Sequence, residues 1–292
     1  MKDKMTWEET IKFIRTQTKF KDLVEKAYFE EDLKLNVERF KESLEFKETL
    51  KLLQNYQPNA KTLLDIGSGN GISAVAFALN GFEVVAIEPD SSDTIGAGAI
   101  RKLKEYYNLS NLEVNQAYAE ELQLPNENFD IVYARQCMHH AYDLEKFVAE
   151  ASRVLKKNGL FITIRDHVIF NEQDKDMFLE NHPLQKFYGG ENAFTALEYR
   201  TAMQNAGLKI EKEIKYFDTI INYFPSSREE ISNMFQIKKD KAILHLKKKI
   251  RALSKIYFIQ EMYFKKIGLN KCSVYDENKV SGRMYSYVCI KK

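Results

Sequence analysis

Cysteine is scarce and scattered: Cys137, Cys272 and Cys289 are the three in 292 residues, with no C-x-x-C pair. Such a set excludes a disulfide framework or a zinc site built on cysteines, and it suits a reducing compartment. Long apolar runs are missing as well, and none approaches the ~20 residues that span a bilayer. The N-terminus, Met1-Lys2-Asp3-Lys4, leads into no apolar segment, so no leader is expected and the chain reads as cytoplasmic. Compositional bias toward disorder is absent: 44% hydrophobic and 12% aromatic residues are ample for a packed core. The length suits one core with sizeable additions.

A dominant charge is lacking too, the formal net being +2. That figure hides an asymmetry. Ile237 to Lys271 holds eleven Lys or Arg against two acids, so this segment is +9 and the remainder −7. Within Lys241–Phe264, the apolar residues Ile243, Leu246, Ile250, Leu253, Tyr257 and Phe264 recur at helical spacing with lysines opposite. A basic amphipathic helix suits a membrane surface, an acidic partner or nucleic acid. It equally suits a lid with a solvated face, the reading adopted here. Glycine is missing from residues 1–57, and the first proline, Pro58, follows Gln57. This stretch reads as helix throughout, with Leu23, Val24, Ala27, Tyr28, Leu44, Leu50 and Leu53 recurring among twelve basic and twelve acidic residues.

What is present is concentrated in Thr62-Leu63-Leu64-Asp65-Ile66-Gly67-Ser68-Gly69-Asn70-Gly71. An apolar run ends near an acid, three glycines follow within five positions, and Ile72 to Leu79 then reads as helix. The pattern is a buried strand, a tight turn and a helix N-terminus. Glycines there let the backbone approach a ligand and take positive φ, and the helix adds its positive end and free N–H groups. A second strand, Phe82 to Ile87, ends at Glu88-Pro89-Asp90. Glu88 lies about 20 residues past the glycines, where a nucleotide-binding βαβ unit places its ribose-binding acid. Two ligands fit this frame, a nicotinamide dinucleotide and S-adenosylmethionine. The dinucleotide fingerprint wants a third glycine where this chain has Ile72, and Asp65 serves a pyrophosphate poorly. S-adenosylmethionine carries no phosphate, and its methionine part carries an ammonium that Asp65 suits.

Residues 58 to 215 resemble a class I S-adenosylmethionine-dependent methyltransferase of the broad small-molecule type, similar to methyltransferase type 11. The resemblance rests on Asp65-x-Gly67-x-Gly69-x-Gly71, Glu88, Ala119-Glu120-Glu121-Leu122-x-Leu124-Pro125 and Asn128-Phe129-Asp130-Ile131-Val132. His139-His140 before a helix and Arg153-Val154-Leu155-Lys156-Lys157-Asn158-Gly159-Leu160 before a strand complete it. It implies a Rossmann-like, seven-stranded, doubly wound α/β sheet. The expected layout is an N-terminal helical lid (1–57), a core (58–216), a helical basic insertion (217–283) and a last core strand (284–292). The implied cofactor is S-adenosylmethionine, leaving S-adenosylhomocysteine. Its expected site comprises Asp65, Gly67, Ser68, Gly69, Gly71, Glu88, Pro89, Tyr118, Ala119 and Arg135. Related enzymes often have Gly-Asp-Ala-Glu where this chain has Ala117-Tyr118-Ala119-Glu120, and that acid contacts the adenine amino group. Here Tyr118 stacking or the Ala119 backbone replaces it.

On the acceptor side, ligands bind beyond the carboxyl ends of the strands. The fourth strand, Phe129 to Ala134, delivers Arg135, His139 and His140; the fifth, Leu160 to Ile164, delivers Arg165, Asp166 and His167. His139 and His167 are the candidate catalytic residues, suited to proton transfer by a pKa near neutrality. Arg165, His140, Tyr188, Glu191 and Asn192 are the candidate acceptor-binding residues. No metal is expected, since two adjacent histidines seldom project to one ion. Arg135, His139, Arg165, His167 and the Tyr188–Asn192 loop are expected to face one pocket. The implied activity is methyl transfer to O or N of a small-molecule acceptor, a metabolite or glycan-type compound. The alternatives are an RNA or protein methyltransferase that docks its polymer on the basic insertion, and a non-catalytic cofactor-binding scaffold.

Overall fold

The computed structural model describes residues 4–250, 255–269 and 276–292, so Met1–Asp3, Leu253 and Cys272 lie outside the described residues. The glycine-free N-terminal stretch is helical but not continuous: α1 (Trp7–Arg15), α2 (Lys21–Lys26), α3 (Leu33–Glu42) and α4 (Leu44–Tyr56). Short polar side chains interrupt it. Thr6 caps the first of them, and Asp32 and Ser43 hold extended backbone and accept N–H groups of the following turn, so each starts a new helix instead of continuing the last.

The core then alternates strand and helix. It runs through β1 (Thr62–Ile66), α5 (Ile72–Leu79), β2 (Glu83–Ile87), α6 (Ala97–Tyr106), β3 (Leu112–Asn115), β4 (Phe129–Arg135) and α7 (Leu144–Val154). β5 (Leu155–Ile169), α8 (Glu172–Asn181), α9 (Gln185–Tyr188), β6 (Phe194–Thr195), α10 (Ala196–Asn205) and β7 (Leu208–Ile214) follow. α6 begins at Ala97, because Gly96 is an extended N-cap and Ala97 N–H donates to the Asp90 carbonyl at 2.7 Å. β5 is fifteen residues long, well beyond the five expected. Between β7 and the last strand come α11 (Ile220–Tyr223), α12 (Arg228–Lys249) and α13 (Tyr257–Lys266), and β8 (Met284–Lys291) closes the sheet. The single helix expected over 241–264 is thus two helices. Leu246 and Phe264 are buried in this region, while Tyr257, Phe258 and Met262 are exposed.

The sheet order is β3-β2-β1-β4-β5-β8-β7, with the two-residue β6 pairing the end of β5. The first five strands of that path are parallel, and β8 inserts antiparallel between β5 and β7. All parallel strands therefore end on one edge, and β1 and β4 lie at its middle. Leu63, Leu64, Ile131 and Val132 are buried, as a sheet covered on both faces demands. One covering layer is aromatic: Tyr28, Phe40, Phe46, Phe77 and Tyr133 form a chain of ring contacts from the N-terminal helices to β4. The other is α7 and α10, carrying Phe147, Val148, Tyr199 and Met203. Among the described residues, no helix is long and apolar enough to cross a membrane.

Candidate active site

At the end of β1 the chain turns sharply, with Gly67, Gly69 and Gly71 at φ of 67°, 54° and 86°. Gly67 is obligatory on two counts, since a Cβ there would also stand 2.1 Å from Cys137 Sγ. Nothing lies within 4 Å of the corresponding position at Gly69, so that backbone faces open space at the N-terminus of α5. Two acids flank the turn. Asp65 is fully buried; its Oδ2 accepts from Ser73 Oγ at 2.7 Å, and Oδ1 has no partner. Glu88 accepts from the Gly69 N–H at 2.7 Å and the Asp90 N–H at 3.0 Å. Burial pushes both carboxyls up to about 7, against hydrogen bonds that oppose the shift. Buried acids with unused acceptor capacity want donors.

Beside Glu88, a cavity of about 490 Å³ opens at the tips of β2 and β3, lined by Ile87, Asn115, Ala117, Tyr118, Glu121 and Leu124 among others. Tyr118 is exposed on its rim, 6.4 Å from Tyr142 between ring centroids. Ala119 is half-buried and Pro89 exposed. The donor set fits S-adenosylmethionine: an acid for an ammonium, an acid for vicinal hydroxyls, an apolar-walled cleft for a purine, and no cluster of cations for phosphate.

The acceptor side splits into two groups, correcting the expectation of one pocket. Arg135 and Arg165 both turn to Glu45 of α4. Arg135 Nε and Nη2 donate to its two oxygens at 2.5 and 3.1 Å, and Arg165 Nη1 stands at 3.4 Å. Arg165 also donates to the carbonyls of Ile221 and Phe224, at 3.1 and 2.6 Å. Its φ of 62° and a register shift between Thr163 and Asp166 in the β5–β8 ladder break the strand's alternation here. Glu45 keeps its charge because the two guanidiniums offset its burial. Arg135 is thus held by Glu45, with Phe40 and Tyr28 rings against its guanidinium, and its charge acts on Asp65 beside the turn.

The histidines form the second group. His139 is buried; its Nδ1 lies 3.1 Å from Asp166 Oδ1, which also accepts the His139 N–H at 3.2 Å. Burial disfavours charge on both partners, holding the imidazole low and raising Asp166 to about 7. His140 sets Nδ1 3.1 Å from the Gly190 carbonyl. His167 packs on Phe178 and edge-on to His139, its Nδ1 3.2 Å from the Gly282 carbonyl, and burial lowers its pKa to about 3. Glu191 brings the loop after α9 into this group: its Oε2 is 3.8 Å from His139 Nε2, and Tyr188 Oη donates to its Oε1. Asn192 is half-buried beside it. Three contributors escaped sequence reasoning. Glu45 lies ninety residues from Arg135 and nothing marks it; Asn70 donates to the Tyr28 carbonyl at 2.7 Å; and His182 approaches Glu191 Oε1 at 3.5 Å. Asp166, by contrast, stands between two residues already singled out.

Residues 64–163 match a family model described as a methyltransferase domain. The chain is 33% identical over 127 residues to the uncharacterized methyltransferase YcgJ of Bacillus subtilis, covering 41% of this chain and 46% of that protein. It is 31% identical over 117 residues to a ubiquinone biosynthesis O-methyltransferase of a Bradyrhizobium species, covering 37% and 44%. The matched region thus spans less than half the length of these relatives. Among solved structures, YcgJ aligns with a TM-score of 0.54 at 17% identity, covering 85% of this chain and 99% of that one. Geranyl diphosphate C-methyltransferase from Streptomyces coelicolor aligns at 0.55 with 15% identity, covering 84% and 79%. At such identities the likeness is one of fold. The glycine turn and the two strand-end acids fall within the matched residues, so it is through this core, residues 64–163, that the chain is similar to methyltransferases.

Proposed function

We propose that this protein transfers a methyl group from S-adenosylmethionine to an O or N atom of a small-molecule acceptor. The observation that carries the reading is the pair of buried acids, Asp65 and Glu88, around a left-handed glycine turn with open space above Gly69. Asp65 would take the ammonium, Glu88 the ribose hydroxyls, and the backbone from Gly67 through Ser68 and Gly69 to Gly71 the methionine part. Tyr118 and Ala119 would border the adenine, with Pro89 closing the loop after Glu88. Bound there, S-adenosylmethionine supplies a methyl group on a sulfonium, activated for in-line transfer.

What remains for the protein is to orient the acceptor, exclude water and receive a proton. His139 is the residue best placed for the last task. Asp166 fixes its ring through Nδ1 and balances the charge when Nε2 takes a proton. Glu191 Oε2, 3.8 Å from that Nε2, stands where an acceptor's nucleophile belongs. His167 is held by Phe178 and the Gly282 carbonyl rather than by a carboxylate, which supports a wall of the acceptor site with His140, Tyr188 and Asn192. The relatives' names span O- and C-methylation of small molecules, which supports the acceptor class. The absence of a long apolar helix among the described residues is compatible with a cytoplasmic setting. The exposed basic α12 favours a second reading, a polymer acceptor docked on the insertion, for which salt-sensitive RNA binding would speak.

Calorimetric titration with S-adenosylhomocysteine tests the cofactor half. Saturable one-to-one binding is expected, and its absence would sink the reading. Turnover of S-adenosylmethionine with pooled small metabolites tests the rest against a non-catalytic scaffold.

A further inference from the structure

Four of the chain's five histidines stand together, His139 against His140 and His167, and His167 near His182, and three of them approach the Glu191 carboxylate. His139 Nε2 lies 3.8 Å from Glu191 Oε2, and His140 Nε2 lies 4.0 Å from the same atom. One ligand atom from each of the three residues falls within 4.8 Å of the others. Adjacent histidines on a strand would point apart. These stand instead on a 3-10 turn, Met138–His140, which brings their ring centroids to 4.1 Å with planes 40° apart. Their second nitrogens are already taken: His139 Nδ1 by the Asp166 carboxylate and His140 Nδ1 by the Gly190 carbonyl. A carboxylate or carbonyl on Nδ1 fixes the tautomer and leaves the Nε2 lone pair outward, which is the support that metal-ligating histidines have. A third imidazole stands by, His182, whose buried Nδ1 has no hydrogen-bond partner and lies 3.5 Å from Glu191 Oε1.

We propose that His139, His140 and Glu191 form a binding site for a divalent transition-metal ion, on the acceptor side of the cofactor turn. Two imidazoles and one carboxylate suit zinc or another late first-row ion rather than magnesium, which prefers oxygen donors. Zinc bonds of about 2.0–2.2 Å require donors roughly 3–3.6 Å apart, so the gaps to Glu191, 3.8 and 4.0 Å, need to shorten by about 1 Å or less, and the widest gap in the set, up to 4.8 Å, by somewhat more. Glu191, on the loop after α9, has to draw in and the two imidazoles have to turn toward each other, while Tyr188 Oη keeps the other Glu191 oxygen oriented. The ion would tie that loop to the tip of β4. It would also occupy the Nε2 lone pair that the proposed base uses, so the loaded site is a state without that base.

The test uses the full chain, free of any affinity tag and stripped of metal by a chelator. Zn2+ is titrated calorimetrically into the parent, His140→Ala, Glu191→Gln and His245→Ala, the last replacing the one histidine outside the cluster, which is exposed. One Zn2+ per chain is expected, weakened at least tenfold in His140→Ala and Glu191→Gln and unchanged in His245→Ala. Mg2+ at the same concentrations is expected to give no binding heat. Circular dichroism matched to the parent ensures that any loss is read from folded protein. The proposal falls if the parent shows no saturable one-to-one binding, or if His140→Ala and Glu191→Gln both bind as the parent does. A preference for Mg2+ would overturn the assignment equally. S-adenosylhomocysteine binding is measured beside it and tests the cofactor site alone, so failure of one reading is separable from failure of the other.

Discussion

Single residues here are tuned by burial more than by neighbouring charge. Glu88 is held neutral up to about 7 although it accepts two backbone N–H groups, because desolvation outweighs them. Its folded pKa lies above its unfolded value, so its contribution to stability is full below about 4.5 and is lost as pH rises through about 7. Glu88→Gln should therefore lose less thermal stability than the parent between pH 6 and pH 8, measured without ligand by differential scanning fluorimetry. An equal loss in both proteins would contradict the burial argument. The same residue is expected to matter for ligand. Glu88→Ala and Asp65→Ala should each weaken S-adenosylhomocysteine by about 1–3 kcal/mol, the loss of a hydrogen bond to a buried or charged group. On the acceptor side, His139→Ala should lower turnover by ~10²–10⁴ with cofactor affinity unchanged. If His167→Ala alone produces that loss, the two roles must be exchanged.

At the scale of elements, the β1–α5 turn is where local geometry and tertiary contact coincide. Gly67 takes φ of 67° and abuts Cys137, on the loop after β4, whereas Gly69 takes φ of 54° in open space. An alanine at Gly69 incurs only the left-handed penalty, about 1–2 kcal/mol. Gly67→Ala adds a steric clash to that penalty and should be the more destabilising by urea denaturation. Similar midpoints for the two variants would mean that Cys137 moves freely, and that the close packing there has no energetic weight. Helix starts are a separate matter. Thr195 accepts from the Glu198 N–H at 3.2 Å while the Glu198 carboxylate accepts from the Thr195 N–H at 2.7 Å, a reciprocal cap on α10. Thr195→Ala should cost about 0.5–2 kcal/mol.

Over the whole molecule, the N-terminal helices divide their loyalties. α3 and α4 carry Phe40 and Phe46 into the main core, while α1 and α2 form a smaller cluster with Ile95 and Leu184. Trp7, the sole tryptophan, sits 4.7 Å from the Tyr188 ring and 5.6 Å from Phe29. It reports on the contact between α1 and the loop that bears Glu191. A small cluster with few buried neighbours should open before the sheet does. Trp7 emission is expected to change at lower urea than the far-ultraviolet circular dichroism, and coincident transitions would make α1 and α2 part of one cooperative unit.

By itself the sequence determined the parts whose physics is local. Apolar runs punctuated by Gly67, Gly69 and Gly71 specify strand, turn and helix through backbone sterics alone, and the distance from that turn to Glu88 follows from the length of one βα unit. From this came the sheet and the cofactor class. Local pattern also misled where short polar side chains compete with the backbone: the caps at Asp32 and Ser43 divide a stretch whose composition reads as unbroken helix, and α12 and α13 replace one. The acceptor side was decided only by tertiary structure. Arg135 and Arg165 seemed to belong with the histidines because strand tips share an edge. Glu45, brought in from α4, claims both guanidiniums, since a buried charge must be paired. Asp166 and Glu191 likewise set the directions of His139 and His140 across gaps of tens of residues. Such pairings depend on which faces meet, and no spacing along the chain encodes that.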